Sequence, residues 1–380
     1  MQKTSQNTFM PPFIKWAGGK EKELHYIISN LPQSFNGYYE PFVGGGSVYA
    51  ALNAQRTYIN DKCSELISLF NYIKSQDNLF FEWVNLINSS WINMRIFVSQ
   101  HIKLLTDIYV SYRSGFFDEN KIVMSILDFV DKNADNLVNI IGPHFAFGKT
   151  IYIKEIKNNI SRKFCRMRKL EKEKSIMSDD DVRDNIETAF MGALYLYYRH
   201  LYNDNNIKQS NKRLATALFL YIRNYSYSGM FRYNHNGKFN VPYGGIAYNS
   251  KTLDKKILYY QSLELQTLLN RTEIYNLDFE AFFEQVKPSY NDFIFLDPPY
   301  DSDFNTYAGN EFTKDDHRRL SLYLCNKCMA KWMMIIKYTP YIYDLYKDRG
   351  LSIQSFEKRY LVSFMNRNNK DTKHLIIKNY

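Results

Sequence analysis

Asp297-Pro298-Pro299-Tyr300 is the segment of this chain with the most specific chemistry. Two consecutive prolines fix the backbone and remove two N–H donors, so the Pro298 carbonyl is held as an acceptor beside the Asp297 carboxylate. Tyr300 adds a flat aromatic face one step further on. An acceptor pair next to an aromatic plate suits a planar exocyclic amine, whose two N–H hydrogens are held while its ring is stacked. Such an amine on adenine is a poor nucleophile, because its lone pair is delocalised into the ring. Hydrogen bonds to Asp297 and Pro298 draw the nitrogen toward a tetrahedral form that can attack an electrophilic methyl. Positioning lowers much of the barrier, and the carboxylate stabilises the charge that builds on nitrogen. A stiff loop after a strand would explain a bare Pro-Pro. It explains this tetrapeptide, directly after the apolar run Phe293–Leu296, less well.

Two further features describe a nucleoside pocket without saying which nucleoside. Gly44-Gly45-Gly46 follows an apolar run, and glycine there lets the backbone approach a ligand and adopt positive φ. Asp61 closes the next apolar run, where a carboxylate can accept two hydrogen bonds from a ribose diol. A dinucleotide fingerprint would need a third glycine where Tyr49 stands. Gly18-Gly19-Lys20 lacks the earlier glycine of a phosphate loop, and Glu21 replaces the Ser/Thr that should follow the lysine. The pocket therefore suits a nucleoside carrying something other than a pyrophosphate.

The elements that must position these residues follow from hydrophobic periodicity. Residues 1–12 are polar and end in Pro11-Pro12, a loose arm. Lys22 to Leu31 predicts a helix, Gly37 to Val43 a strand, Ser47 to Asn53 a helix, Thr57 to Asp61 a strand and Ser64 to Lys74 a helix. From about 75 to 215 glycine and proline become rare and helical patterns dominate. Basic residues cluster there, among them Lys154, Lys157, Arg162, Lys163, Arg166, Arg168 and Lys169. That cluster is either a solvated face or a surface for a polyanion. Ser228 to Gly245 is rich in glycine and asparagine. Lys251 to Leu269 predicts a helix, Glu273 to Asp278 a strand, Phe279 to Val286 a helix, Phe293 to Asp297 a strand, Thr313 to Met329 a helix and Trp332 to Lys337 a strand. Leu351 to Phe356, Tyr360 to Phe364 and His374 to Tyr380 read as antiparallel strands. The alternation predicts an α/β fold, with a mostly parallel, doubly wound sheet and a terminal antiparallel hairpin.

Composition narrows the class. Of 380 residues, 45% are apolar and 23% charged, which excludes a collagenous or wholly disordered chain. The net charge of +10 favours a polyanionic partner. No apolar run reaches the roughly 18 residues of a membrane span, and the first residues lead into no signal-peptide core. The 4 cysteines are too scattered for a disulfide framework and fit a reducing compartment. Cys325-Asn326-Lys327-Cys328 has no second ligand pair, so it reads as core packing rather than a zinc site. His101, His200 and His317 show no metal spacing, and Asp179-Asp180-Asp181 reads as a helix start.

Phe13-Ile14-Lys15-Trp16-Ala17-Gly18-Gly19-Lys20, Glu40-Pro41-Phe42-Val43-Gly44-Gly45-Gly46-Ser47 and Asp297-Pro298-Pro299-Tyr300, in that order, resemble the Dam-type (D12 class, α group) adenine-specific DNA N6-methyltransferases. Tyr225 to Gly245 resembles that family's DNA-recognition hairpin. The likeness covers residues 10–75 and 215–310 well and the C-terminal strands loosely. It implies a Rossmann-like methyltransferase domain over 10–75 and 246–380, with an inserted, mainly helical target-recognition domain over 76–245. It implies S-adenosylmethionine as donor and N6 of a flipped-out adenine in double-stranded DNA as acceptor, with no metal. By position, Asp297, Pro298 and Tyr300 are the implied catalytic residues. Trp16, Lys20, Asp61 and Asp297 resemble cofactor contacts, Gly44, Gly46 and Ser47 line its methionine end, and Asp278-Phe279 holds its adenine. Lys15, Arg232, Asn234 and Pro242 resemble recognition contacts, and Tyr227 stands beside the flipped base.

The departures lie outside these motifs. Small family members lack much of the 75–215 stretch, Ser228 stands where many relatives have Asn, and Lys337-Tyr338-Thr339-Pro340 replaces a more polar segment. RNA adenine or a protein amide are alternative acceptors for the same chemistry, but amide enzymes usually carry Asn at the Asp297 position. A catalytically silent DNA-binding relative is disfavoured by the intact Trp16, Lys20, Asp61 and Asp297. The implied setting is the cytoplasm of a bacterial or phage-type system, acting on DNA and not on membrane. A monomer suffices there, and a cognate restriction endonuclease is a further partner class.

Overall fold

The computed structural model describes residues 9–52, 54–300, 312–359 and 371–380. Seven strands among them form one sheet: β1 (Tyr38–Glu40), β2 (Thr57–Asn60), β3 (Thr272–Tyr275), β4 (Phe293–Leu296), β5 (Lys331–Lys337), β6 (Ser352–Arg359) and β7 (Asp371–Lys378). Their order is β3-β2-β1-β4-β5-β7-β6. The first five are parallel, and β7 runs antiparallel between β5 and β6. Strand order reverses between β1 and β4. In open parallel sheets that reversal opens a crevice at the carboxyl ends of the two strands, here just beyond Glu40 and Leu296.

The central strands are apolar along their length because helices cover both faces. All four residues of β4 are buried, as are the five inner residues of β5. The core between sheet and helices holds Phe279, Phe283, Leu320, Leu324, Trp332 and Met334, with Phe283 stacked on Tyr323 at 4.3 Å. Two caps fix the neighbouring helices. Asp278 caps Phe279–Val286, and Thr313 with Asp316 forms a reciprocal capping box on Lys314–Asn326. Cys325 and Cys328 pack against this core.

The chain divides into two compact units. One comprises residues up to Ser75 together with Tyr260 onward, and the other is Gln76–Tyr259. The second unit is helical, built on Asn78–Arg113, Glu119–Lys132, Lys149–Glu173, Asp179–Tyr202 and Lys212–Tyr225. Its interior holds Trp91, Tyr109, Tyr152, Tyr195, Tyr198 and Tyr221. Arg213 grips both oxygens of Asp77, the cap of the first long helix, and holds that carboxyl below its ordinary value. After Tyr225 the chain forms a narrow hairpin closed by bridges Ser226–Tyr243 and Tyr233–Phe239. No described helix is long and apolar enough to cross a membrane.

Several boundaries differ from the pattern. Residues 246–259 pack in the helical unit, where Asn249 accepts from Tyr243 Oη (2.8 Å) and donates to Thr188 (3.0 Å). Lys251 to Leu269 is two short helices, Asp254–Tyr260 and Leu263–Asn270, because Ser262 caps the second and interrupts the first. Helix Pro340–Tyr346 adds to the pattern, with Thr339 as its cap and proline in its first turn. Tyr360 to Phe364 and residues 1–8 of the N-terminal arm lie outside the described residues.

Asn60, the last residue of β2, ties the loops at the crevice. Its amide donates to the carbonyls of Pro41 and Leu277 (both 3.0 Å), and its Oδ1 accepts from Leu277 N–H (2.8 Å). Replacement by Ala leaves these groups buried and unpaired. Asn60→Ala should lower unfolding free energy by on the order of 3 kcal/mol in a denaturant titration.

Candidate active site

Backbone fit at the head of the crevice comes first, because it aligns everything else. Segment 13–20 lies against the glycine loop, with Phe13 N–H donating to Gly45 O at 2.9 Å. Gly44 has φ +49°, and a Cβ there would stand 2.7 Å from Trp16 Cδ1. A Cβ on Gly45 would collide with the Ile14 carbonyl oxygen. Gly46 has φ +75° and leads into the buried Ser47, which opens helix Ser47–Leu52. Glycine at 44 and 45 is therefore a steric requirement of the Trp16 segment, and Trp16 forms a wall over the loop. Lys15 is exposed on the same segment.

Lys20 ends that segment and is only 2% exposed. Its ammonium donates to Gly18 O (2.8 Å) and to Tyr300 Oη (3.3 Å) and pairs with the Asp297 carboxylate. The Tyr300 ring centroid lies 5.5 Å from the ammonium, and His374 on β7 meets that ring edge-on at 5.6 Å. The structure thus joins Lys20, Asp297 and Tyr300 in one constellation at the carboxyl end of β4. Asp297 keeps 20% of its side chain accessible, so the pair is open on one side. Pro298 is buried and Pro299 exposed.

Two carboxyls flank it. Glu40, ending β1, is buried, and burial pushes it well above the ordinary carboxyl range, with the charge of Asp297 adding to the rise. Tyr38 Oη donates to it at 2.6 Å. Asp61 follows β2. Its oxygens accept from Gly44 N–H (3.0 Å) and Cys63 N–H (2.9 Å), yet burial outweighs these bonds and raises its pKa to about 6. Each oxygen retains a lone pair for a further donor.

Asp278 and Phe279 are placed differently from a free acceptor and an open ring. Arg319 forks onto both Asp278 oxygens (3.2 Å each) while also meeting Glu280 and Asp316. The same guanidinium covers the Phe279 ring at 4.7 Å, and that ring is buried beside Phe42 and Phe312. Glu40, Asn60 and Arg319 do not stand out in the sequence as site residues. Glu40 sits inside a glycine-loop motif and ends a strand, which is its signal. Arg319 carries none.

The remaining residues sit in the helical unit, on the hairpin. Tyr227 is 45% exposed, and its N–H donates to Pro242 O at 2.9 Å. Arg232 is exposed, with Nε on Asn240 Oδ1 (3.1 Å), and Pro242 is exposed. Asn234 has a turn-forming role, since its Oδ1 accepts from the N–H groups of Asn236 and Lys238 (3.0 Å each). That oxygen builds the hairpin tip.

Residues 16–362 match the family model described as D12 class N6 adenine-specific DNA methyltransferase. The type II methyltransferase M.CviBI of Paramecium bursaria Chlorella virus NC1A is 38% identical over 173 residues, covering 44% of this chain and 61% of that protein. The type II methyltransferase M1.LlaDCHI of Lactococcus lactis subsp. cremoris is 23% identical over 92% of this chain and 88% of its own length. The DNA adenine methylase of Haemophilus influenzae is 23% identical over 90% of this chain and 86% of its own.

The close approach of Ile14 O to the glycine loop gives a direct test. Gly45→Ala should cost about 1–3 kcal/mol of stability, because backbone rather than a flexible side chain must give way. Thermal or denaturant melting of the single variant measures it.

Proposed function

Because the chain belongs to the D12 class of N6 adenine-specific DNA methyltransferases, we propose that it transfers a methyl group from S-adenosylmethionine to N6 of a flipped-out adenine in double-stranded DNA. The observation that carries this reading is the Lys20–Asp297–Tyr300 constellation beside a steric glycine cradle. Bound S-adenosylmethionine supplies an electrophilic methyl. The residues present fit it: Asp61 offers free lone pairs to a ribose diol, and Gly44, Gly46 and Ser47 form the cradle under Trp16. Arg319 already engages the Asp278 side chain, so in this reading Asp278-Phe279 meet the cofactor's adenine chiefly through their backbone.

The chain's own groups then act on the base. Asp297 and the Pro298 carbonyl accept hydrogen bonds from the two N6 hydrogens, and Tyr300 provides an aromatic face for the extruded ring. Lys20 pairs with Asp297 and fixes its carboxylate in place. Tyr38 holds Glu40, whose carboxyl burial pushes well above its ordinary range. Asp297 stabilises the positive charge developing on nitrogen. The helical unit and its hairpin serve as the target-recognition domain, with Lys15, Arg232 and Pro242 toward the recognition bases. A monomer suffices, and the site of action is the cytoplasm. Relatives named type II methyltransferases support a restriction–modification role with a cognate endonuclease.

Modified-base sequencing of DNA from a methylation-deficient host expressing the protein tests the reading. The expected result is N6-methyladenine at a single motif, and unmodified DNA beside soluble protein overturns it. Asp297→Ala should lower turnover by on the order of a thousandfold while duplex binding persists. Asp61 accepts hydroxyl donors best when ionised, above its pKa of about 6. Affinity for S-adenosylmethionine should therefore hold steady above that pH and fall as the pH drops through it. Asp61→Asn should bind more weakly at neutral pH and show no such transition in calorimetric titrations between about pH 5 and 8.

A further inference from the structure

A cavity of about 550 Å³ opens within the helical unit, between helices Lys149–Glu173 and Asp179–Tyr202 and the base of the hairpin. Its lining includes four cationic side chains, Arg162, Lys163, Arg166 and Arg199, against Pro242 and Tyr243. Arg162, Lys163 and Arg166 share one face of their helix at three- and four-residue spacing. The facing helix contributes the small residue Gly192, where even a Cβ would come within 3.6 Å of Tyr243.

None of the four cations forms an ion pair among the described residues. Arg162 Nε donates to Asn158 O (3.1 Å), Lys163 Nζ to Asn185 Oδ1 (3.3 Å) and Arg199 to Val241 O (3.1 Å), all neutral acceptors. The carboxylate of Glu155 lies near the rim and accepts from Asn159 (3.1 Å). Burial and the neighbouring Arg166 lower the Lys163 pKa, so positive charge is crowded there. Four cations with no ion-pair partner among the described residues match a multivalent oxyanion, which Arg and Lys donors coordinate from several sides.

Arg199 connects this charge to recognition. It lines the cavity while holding the Val241 carbonyl, next to Pro242, whose own carbonyl takes the Tyr227 N–H. We propose that the cavity is a binding site for a backbone phosphodiester of the DNA duplex, anchoring the hairpin that carries Tyr227 and Arg232. This rests on the reading that the chain methylates duplex DNA. Such binding is independent of base sequence and belongs to this chain's helical insertion.

The test is the salt dependence of duplex binding by full-length protein carrying Arg162→Gln and Arg166→Gln. Both side chains are exposed, and a melting curve checks the fold. The slope of log affinity against log salt should shrink by about 0.9 for each phosphate no longer neutralised, equally for duplexes with and without the methylated motif. Removing the same charge at the exposed Lys103 and Lys121, outside the cavity, should leave the slope at the wild-type value. A slope unchanged in the cavity variant, or reduced as much by the control pair, overturns the proposal. Inorganic phosphate, titrated against matched chloride, separates the other source. If it raises the melting temperature of wild type but not of the variant while the DNA slope is unaffected, the cavity is a small-anion site and the proposal fails. Methylation by wild type in the same preparation keeps the two readings apart. An active enzyme with an unchanged slope rejects the cavity alone, whereas inactivity on DNA rejects the function on which it rests.

Discussion

A lysine ammonium that is 2% exposed must have charge and hydrogen-bond partners, and the pairing of Lys20 with Asp297 satisfies that demand at the centre of this structure. The two residues come from opposite ends of the chain. Bringing them together requires β1 and β4 to lie side by side, so that the segment before β1 and the loop after β4 meet at one crevice. It requires the turn at Gly18-Gly19 that points Lys20 inward. It also requires glycines at 44 and 45, since the Trp16 segment reaches this position only by passing within van der Waals distance of that loop. The glycine cluster, the N-terminal segment and the Asp-Pro-Pro-Tyr loop are three parts of one steric and electrostatic arrangement.

The same crevice sorts its carboxyls by environment. Asp297 faces a buried cation, the Lys20 ammonium. Glu40, a strand's width away, is buried with a tyrosine hydroxyl as its hydrogen-bond partner and is driven toward its neutral form. Asp61 lies between these extremes, with two backbone N–H groups working against desolvation.

The helical unit follows a different logic. Its interior is filled with tyrosines and a tryptophan whose rings supply apolar volume, several with hydroxyls bonded to backbone carbonyls, as Tyr195 to Val241 and Tyr197 to Phe145. Much of the tyrosine in this unit thus goes into packing. Tyr227 is the exception that remains on the surface. Basic residues that read as one run from Lys154 to Lys174 divide by helical phase. Lys157 pairs with Asp131 and Lys169 lies beside Glu173, whereas Arg162, Lys163 and Arg166 turn toward the cavity.

By itself the sequence determined the local elements and the chemistry of the motifs. Continuous apolar runs defined the buried strands, and hydrophobic periodicity marked helices such as Ser64–Lys74 and Phe279–Val286. Asp-Pro-Pro-Tyr implied an amine-binding acceptor pair because proline geometry is set by covalent structure. Tertiary structure decided what depends on neighbours remote in the chain. It decided that Lys20 faces Asp297, that Arg319 engages Asp278, that Glu40 is buried beside a pair of charges, and that Asn234 shapes a turn. It also selected which arginines of a basic helix share a cavity, and placed residues 246–259 in the helical unit. Periodicity and propensity act within a turn or a strand. Burial, charge compensation and backbone collision are set by residues hundreds of positions apart, and become legible only once the sheet order has brought those residues together.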